Sequence, residues 1–313
     1  MENRIYQRFA LVAAFISYSF YCYAQDPVLP PTNLGMTNIG DGLAPPPGLY
    51  YNGYIQVFQP KNTYGPNGEK LAEGVKLNTL LSMQQLVYIS KIKAFSGQIY
   101  FTSLLPLVSI TTGATDRPLP SINKGLIGDL TFGSGIQWYD KGLFGKILWH
   151  RAEIDVTLPS GAFRKDCQVN ASAHLYTFSA YYSLSLFLSR KIIFSSRNQL
   201  NYNSNIIGTN IRPGAFYNGN YSVQYNIGKR LTAAIIGYLL NQFRQDSFNG
   251  DHNYYLMGHN VNDTREKVWA LGPALRYTAS GGPMIEANIA FETGARNRWS
   301  GTRPTLRVSM PIN

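Results

Sequence analysis

Residues 175–188 read LYTFSAYYSLSLFL, and their side chains alternate between two chemical classes. The even-numbered positions are aromatic or aliphatic. The odd-numbered positions include small hydroxyl residues, namely Thr177, Ser179, Ser183 and Ser185. Because successive side chains of a strand point to opposite faces, this stretch is predicted to be a strand with one apolar face and one polar face.

The same alternation recurs along the chain and predicts about twelve strands. They lie near residues 48–58, 75–88, 97–110, 125–139, 147–157, 173–188, 192–203, 212–226, 231–244, 266–278, 283–293 and 302–312. A tilted strand crosses a bilayer with about 9–11 residues, and each predicted strand reaches that length. No later stretch approaches the roughly 20 apolar residues of a transmembrane helix.

The connections between these strands alternate between long and short. The long ones are 59–74, 111–124, 158–172, 204–211, 245–265 and 294–301, so all short turns fall on one rim. Tight turns on one side and long loops on the other are typical of outer-membrane barrels. We predict an all-β fold, a transmembrane antiparallel up-and-down β-barrel of about 12 strands. A soluble sandwich or lipocalin-like barrel is the alternative, but it would need a polar outward face.

Composition agrees with a wall that faces lipid on one side. Charged residues make up 14% of the chain, against about 25% in a typical soluble domain. The net charge is +11, yet the basic residues are scattered over turns and strands, so no nucleic-acid partner is predicted. The predicted partners are outer-membrane lipids and lipopolysaccharide together with a small-molecule solute, and the oligomeric state stays open.

Three segments are predicted. Residues 1–24 have a basic start, an apolar stretch and a small-x-small end, as in a signal peptide, which indicates export to the outer membrane of a Gram-negative bacterium. Residues 25–47 form a Pro-rich segment that is either a periplasmic tail or a plug folded into the lumen. Residues 48–313 form the barrel. Once the leader is removed, the single Cys167 cannot close an internal disulfide.

Four short motifs carry a family resemblance. They are LAPPPGLY at 43–50, GLIGDL at 125–130, LPSGAF at 158–163 and ARNR at 295–298. Their order along nearly the whole mature chain resembles the outer-membrane proteins of the meta-pathway phenol-degradation family, also called transporter-like. The resemblance implies a β-barrel with a porin-like or FadL-like role in uptake of aromatic or other hydrophobic compounds.

If the apolar face of each strand meets lipid, the charged side chains between must point inward, because Arg or Lys at the bilayer midplane costs about 2–4 kcal/mol. The lumen or selectivity candidates are Asp129, Arg151, Glu153, Asp155, Arg197, Arg276, Glu286, Glu292 and Arg307. The structural alternative is a packed ionic network that bridges neighbouring strands without contacting solute.

Catalytic and metal-binding patterns are weak, so no enzyme activity, cofactor or metal is predicted. His150 is expected on the outward face with no serine neighbour, which disfavours a lipase. His252 and His259 lack the spacing of a metal site. The predicted function is passive uptake of small, hydrophobic or aromatic compounds through an outer-membrane channel. The alternative is a structural or surface-binding barrel with a closed lumen, whose 245–265 loop contacts a partner.

Overall fold

The computed structural model describes residues 29–71, 77–113, 119–143, 145–258 and 263–312. The predicted signal peptide at residues 1–24 and His259 lie outside the described residues.

The described residues form fourteen strands, twelve of them long. The strands are β1 (Gly48–Tyr64), β2 (Leu77–Ala94), β3 (Gly97–Thr112), β4 (Thr131–Leu143), β5 (Lys146–Thr157), β6 (Thr177–Phe187), β7 (Ile192–Asn203), β8 (Ile211–Arg212), β9 (Phe216–Asn226), β10 (Leu231–Gln242), β11 (Ser247–Phe248), β12 (Lys267–Thr278), β13 (Met284–Arg296) and β14 (Arg298–Ile312). The short strands β8 and β11 pair with each other outside the barrel.

The twelve long strands close into one antiparallel barrel. Each pairs with its neighbours along the chain, and β1 pairs with both β2 and β14, which closes the cylinder. A single turn of helix, α1 (Tyr254–Gly258), lies in the connection after β11. Within the described residues, no helix is long and apolar enough to span a membrane.

The two faces of the wall differ as the alternation predicts. Large apolar side chains in the strands point outward and are exposed; Ile154 and Ile235 are 68% and 67% exposed. Their polar neighbours point inward and are buried, as with Ser183 and Ser185 at 0%. The prediction of a transmembrane β-barrel of about twelve strands is confirmed.

One polar cluster on the outward face satisfies its own hydrogen bonds. The Tyr217 hydroxyl donates to the Asn198 side-chain oxygen at 2.7 Å, and the Tyr221 hydroxyl lies 3.3 Å from the same atom. Both hydroxyls fold over Gly219, where a Cβ would approach each of them to 2.5 Å. A glycine at this position therefore lets two tyrosines shield an amide that would otherwise face hydrocarbon.

The prediction of a long loop over residues 294–301 is wrong. Strands β13 and β14 continue through this stretch and leave only Asn297 between them, with φ of 50°. Asparagine tolerates this left-handed conformation better than most residues. The other five connections at this rim are longer, and we call it the long-loop rim. The opposite rim carries the short turns and the start of β1, and we call it the short-turn rim.

Candidate functional site: the barrel lumen

Residues 29–47, here called the luminal segment, run lengthwise through the barrel. At the long-loop rim the Leu29 N–H donates to the Glu266 carboxylate at 3.1 Å. Toward the short-turn rim the Pro45 carbonyl accepts a hydrogen bond from Gln137 at 2.8 Å. Of the two alternatives that the sequence leaves open for the Pro-rich segment, the structure places its described part inside the lumen.

Inward-facing polar side chains hold the backbone of this segment, which has no strand or helix of its own. The Gln56 amide donates to the Leu34 carbonyl at 2.9 Å, and the Ser222 hydroxyl donates to the Asn38 carbonyl at 2.8 Å. The Gly35 N–H donates to Asn220 at 2.9 Å. Buried backbone groups need such partners, so the polar inner faces of β1 and β9 replace the ladder of a strand.

An apolar part of the wall faces the other side of the segment. Leu29, Leu34 and Ile39 pack against a cluster of inward side chains, namely Phe216, Ile236, Tyr238, Leu240, Val268, Ala270, Ala274, Ala290 and Ala295. This contact removes apolar surface of the segment from water and so stabilises its place in the lumen.

Gly42 sets how closely the segment approaches β6. A Cβ at this position would lie 2.2 Å from the Leu184 carbonyl carbon, which no side chain can tolerate without backbone movement. The Gly42 N–H donates to the Ser185 hydroxyl at 3.1 Å. Glycine is therefore required where the luminal segment lies directly on the wall.

Asp41 is the charged centre of the luminal segment. Its carboxylate accepts from Arg151 at 2.9 Å and from the Ser183 hydroxyl at 2.9 Å, and Arg197 lies at 3.7 Å. The Arg197 guanidinium also stacks over the Tyr181 ring, 3.6 Å from its centroid. We call Arg151, Arg197 and Ser183 the carboxylate cradle.

Asp41 lies on the segment and not on a membrane-spanning strand. Burial raises the pKa of its carboxyl group, but the charges of Arg151, Arg197 and Arg307 and the Ser183 hydrogen bond lower it. The resulting pKa is below the usual value, so the group is ionised at neutral pH.

Glu153 and Asp155 are two acidic residues on the inner face of β5. Tyr100 donates to Glu153 at 2.6 Å, and Tyr181 donates to the same oxygen. Both carboxyl groups fold over Gly133, where a Cβ would meet them at 2.5 and 2.1 Å. The Oδ1 atom of Asp155 is buried and has no hydrogen-bond partner among the described residues.

Arg276, Glu286 and Arg307 stand side by side on three adjacent strands. Glu286 is opposite Arg276 on β12 and opposite Arg307 on β14. Glu286 is 0% exposed, and Arg276 donates to the Ile39 carbonyl of the luminal segment at 3.3 Å. Arg307 also reaches Asn52 at 3.4 Å. One acid here lies between two bases.

The remaining candidates lie nearer the long-loop rim. Glu292 accepts from Arg303 at 2.9 Å and from the Tyr238 hydroxyl at 2.7 Å. Asp129 precedes β4 and accepts from the N–H groups of Gly161 and Ala173, both at 2.9 Å, so it holds connecting loops as well as bordering the lumen. The structure thus brings Arg151, Glu153, Asp155 and Arg197 together and leaves Asp129 and Glu292 apart from them. Their assignment to selectivity stays a prediction.

A cavity of about 140 Å³ lies between the luminal segment and the inner faces of β2 and β3. One side is apolar and consists of Leu81, Met83, Leu104, Pro106 and Val108. The other side includes Asp155, Arg197 and Asn201. Its lining extends from Ala171 and Leu175 near the long-loop rim to Tyr54 farther inside. The lumen therefore offers an amphipathic space beside the carboxylate cradle.

A larger concavity, of about 800 Å³, lies on the outside of the barrel. Its apolar lining includes the outward residues Phe132, Ile154, Phe178 and Leu200. Since this surface belongs to the lipid-facing belt, acyl chains are its natural contacts, and the luminal cavity is the better candidate for a solute.

The described histidines have packing roles. His150 stacks on Trp138 with ring centroids 4.8 Å apart and also contacts Tyr182, as expected for an outward aromatic cluster. His174 stacks on Phe163, and the ring of His252 is bonded to the Gln245 carbonyl at 2.9 Å. Among the residues that the structure describes, no group of three or more His, Cys, Asp or Glu side chains could hold a metal ion.

A protein-family model described as "Putative MetA-pathway of phenol degradation" matches residues 61–308. Among curated protein sequences, none matches this chain.

Solved structures share the fold. The COG4313 outer membrane channel from Pseudomonas putida F1 is 15% identical, covers 88% of this chain and 100% of its own, and superposes with a TM-score of 0.74. The toluene transporter TodX from Pseudomonas putida is 10% identical, with 87% and 91% coverage and a TM-score of 0.40. The autotransporter NalP translocator domain from Neisseria meningitidis is 8% identical, with 86% and 90% coverage and a TM-score of 0.43. At these identities the first comparison supports the fold alone, and the other two fall below the similarity needed for an argument.

Proposed function

Because this chain belongs to the family described as "Putative MetA-pathway of phenol degradation", we propose that it is an outer-membrane channel for passive uptake of small hydrophobic or aromatic compounds. Its proposed location is the outer membrane of a Gram-negative bacterium, reached through the signal peptide at residues 1–24. Its outward belt would contact outer-membrane lipids and lipopolysaccharide there. One solved structure with the same fold is described as an outer membrane channel.

The apolar side of the luminal cavity is the observation that carries this proposal. A lumen that only held water and ions would have no need of five apolar side chains on adjoining strands facing inward, as Leu81, Met83, Leu104, Pro106 and Val108 do. Such a surface favours contact with an apolar solute, while the polar groups opposite it can orient the solute.

Passage needs neither an energy source nor a cofactor in this proposal, because the solute follows its concentration gradient. The luminal segment narrows the path, since Leu34 and Gly35 are hydrogen-bonded to the inner faces of β1, β9 and β13. Solutes therefore pass between the segment and the apolar side of the cavity.

Filling that cavity is expected to slow uptake. Val108 faces the cavity from β3, so Val108→Trp should lower the initial rate of uptake by on the order of tenfold. The measurement is uptake of radiolabelled benzyl alcohol by Gram-negative cells that lack their general porins and express the full chain. Leu107→Trp is the matched control. Leu107 is next to Val108 on β3, and its side chain points to the lipid side of the strand.

If cells that express the full chain take up benzyl alcohol no faster than cells without the protein, the proposal is contradicted. That result would favour a structural barrel with a closed lumen. Equal loss of uptake in the Val108→Trp and Leu107→Trp variants would show that the effect does not arise from the cavity. Heat-dependent mobility in gels verifies that each variant forms its barrel.

A further inference from the structure

The carboxylate cradle has the donor set of a receptor for a carboxylate solute. Arg151 donates to Oδ1 of Asp41 and the Ser183 hydroxyl donates to Oδ2, both at 2.9 Å, and Arg197 approaches Oδ2 at 3.7 Å. Charge-assisted bonds of this kind are stronger than those between neutral groups. Tyr181 supports the arrangement, because its ring lies 3.6 Å from the Arg197 guanidinium.

A single carboxylate does not use all the donors of the cradle. The Nε atoms of Arg151 and Arg197 are buried and have no hydrogen-bond partner among the described residues. Of the neighbouring acids, Glu153 is engaged elsewhere, since it accepts from Tyr100 and Tyr181. The two guanidinium groups therefore retain capacity for an anion.

The space next to the cradle fits a molecule with an apolar body. Arg197 lines both the cradle and the 140 Å³ cavity, whose opposite side is formed by Leu81, Met83, Leu104, Pro106 and Val108. A volume of this size equals that of about four to five water molecules in the liquid. A solute placed there would have its apolar part on β2 and β3 and a charged group at Arg197.

We propose that the cradle binds the carboxylate of amphiphilic organic monoanions, such as aromatic acids, and that Asp41 is a built-in competitor for that site. This inference rests on the proposed channel function and specifies the class of solute. Asp41 occupies the cradle while the lumen is empty of solute, which keeps the buried arginines paired. An incoming carboxylate replaces Asp41 and takes over the same donors.

The test compares benzoate with benzyl alcohol, which has the same ring but no charge. Binding of each to the detergent-solubilised full chain is measured by equilibrium dialysis at low chloride. Asp41→Asn should lower the Kd for benzoate by about tenfold, because the competing charge is removed while the two arginines remain. The Kd for benzyl alcohol should not change. In the double variant Asp41→Asn, Arg197→Gln, the gain for benzoate should disappear.

Three results would overturn the proposal: an unchanged Kd for benzoate in the folded Asp41→Asn variant, an equal gain for benzyl alcohol, or a gain that survives Arg197→Gln. If Asp41→Asn does not fold, Arg197→Gln alone decides. This substitution should raise the Kd for benzoate several-fold and leave the Kd for benzyl alcohol unchanged. An unchanged Kd for benzoate would refute the site. A negative result in this binding test would not affect the proposed uptake of benzyl alcohol past Val108. The two proposals can therefore be refuted separately.

Discussion

Removal of residues 29–44 is expected to raise the single-channel conductance in planar bilayers by on the order of tenfold, because a barrel of twelve strands is wider than its side chains alone can fill. The luminal segment supplies the rest of the filling. It spans from Glu266 at the long-loop rim to Gln137 toward the other rim. The barrel itself should persist, since its hydrogen bonds run between neighbouring strands and not through the segment.

Deletion of residues 29–44 should also change the ion selectivity of the channel. Without Asp41, the Arg151 and Arg197 side chains face open water, so the reversal potential in a salt gradient should shift toward anion selectivity. A synthetic peptide of residues 29–44 is the matched control, and its addition should lower the conductance again. A folded deletion variant with the conductance of the full chain would show that the segment does not occlude the lumen.

Glu292→Gln is expected to lower the free energy of unfolding by about 3–5 kcal/mol, the typical effect of removing one partner from a buried charge pair. The substitution keeps the shape of the side chain but removes its charge. Arg303 would then lose the carboxylate that it contacts at 2.9 Å, in a place where the Glu292 side chain is 0% exposed. Denaturant unfolding in detergent, followed by tryptophan fluorescence, measures the change.

The matched control for Glu292→Gln is Asp166→Asn. Asp166 pairs with Arg164 in a connecting loop where both side chains are more than 60% exposed, so no measurable change in stability is expected. Equal stability of the wild-type chain and Glu292→Gln would mean that water in the lumen screens Arg303, and that this buried ion pair does not stabilise the barrel.

The strands can be predicted from the sequence because alternate side chains of each strand face lipid and the lumen, which gives a period of two. β7 shows this most clearly, with the predicted range 192–203 matching Ile192–Asn203. β10 has a weaker signal. Ile236, Tyr238 and Leu240 face inward toward the luminal segment while Ile235 faces lipid, so both faces of this strand are apolar. The sequence does not predict the tight turn at Asn297, because the glycine and polar residues around it are also typical of a loop.

The candidate site is harder to predict from the sequence, because its central acid lies outside any strand. Asp41 belongs to a segment without periodicity, and only the fold shows that it meets Arg151 and Arg197. The sequence does indicate that Arg303 faces the lumen, since it is four residues from Arg307 on β14 and so lies on the same face of the strand. In the structure it pairs with Glu292. The apolar inner surface on β2 and β3 has no charged side chain, so charge does not mark it as part of the lumen.

The place of residues 29–47 inside the lumen is the claim on which the proposed site depends, and a pair of cysteines tests it directly. The Thr32 hydroxyl and the Asn218 side-chain oxygen lie 3.0 Å apart, so Thr32→Cys with Asn218→Cys should form a disulfide under mild oxidation, in a background with Cys167→Ser. Thr177→Cys with Asn203→Cys, whose native side-chain oxygens are 2.9 Å apart on neighbouring strands, controls for oxidation and folding. Mass spectrometry should find both cross-links; the second without the first would place the segment outside the barrel.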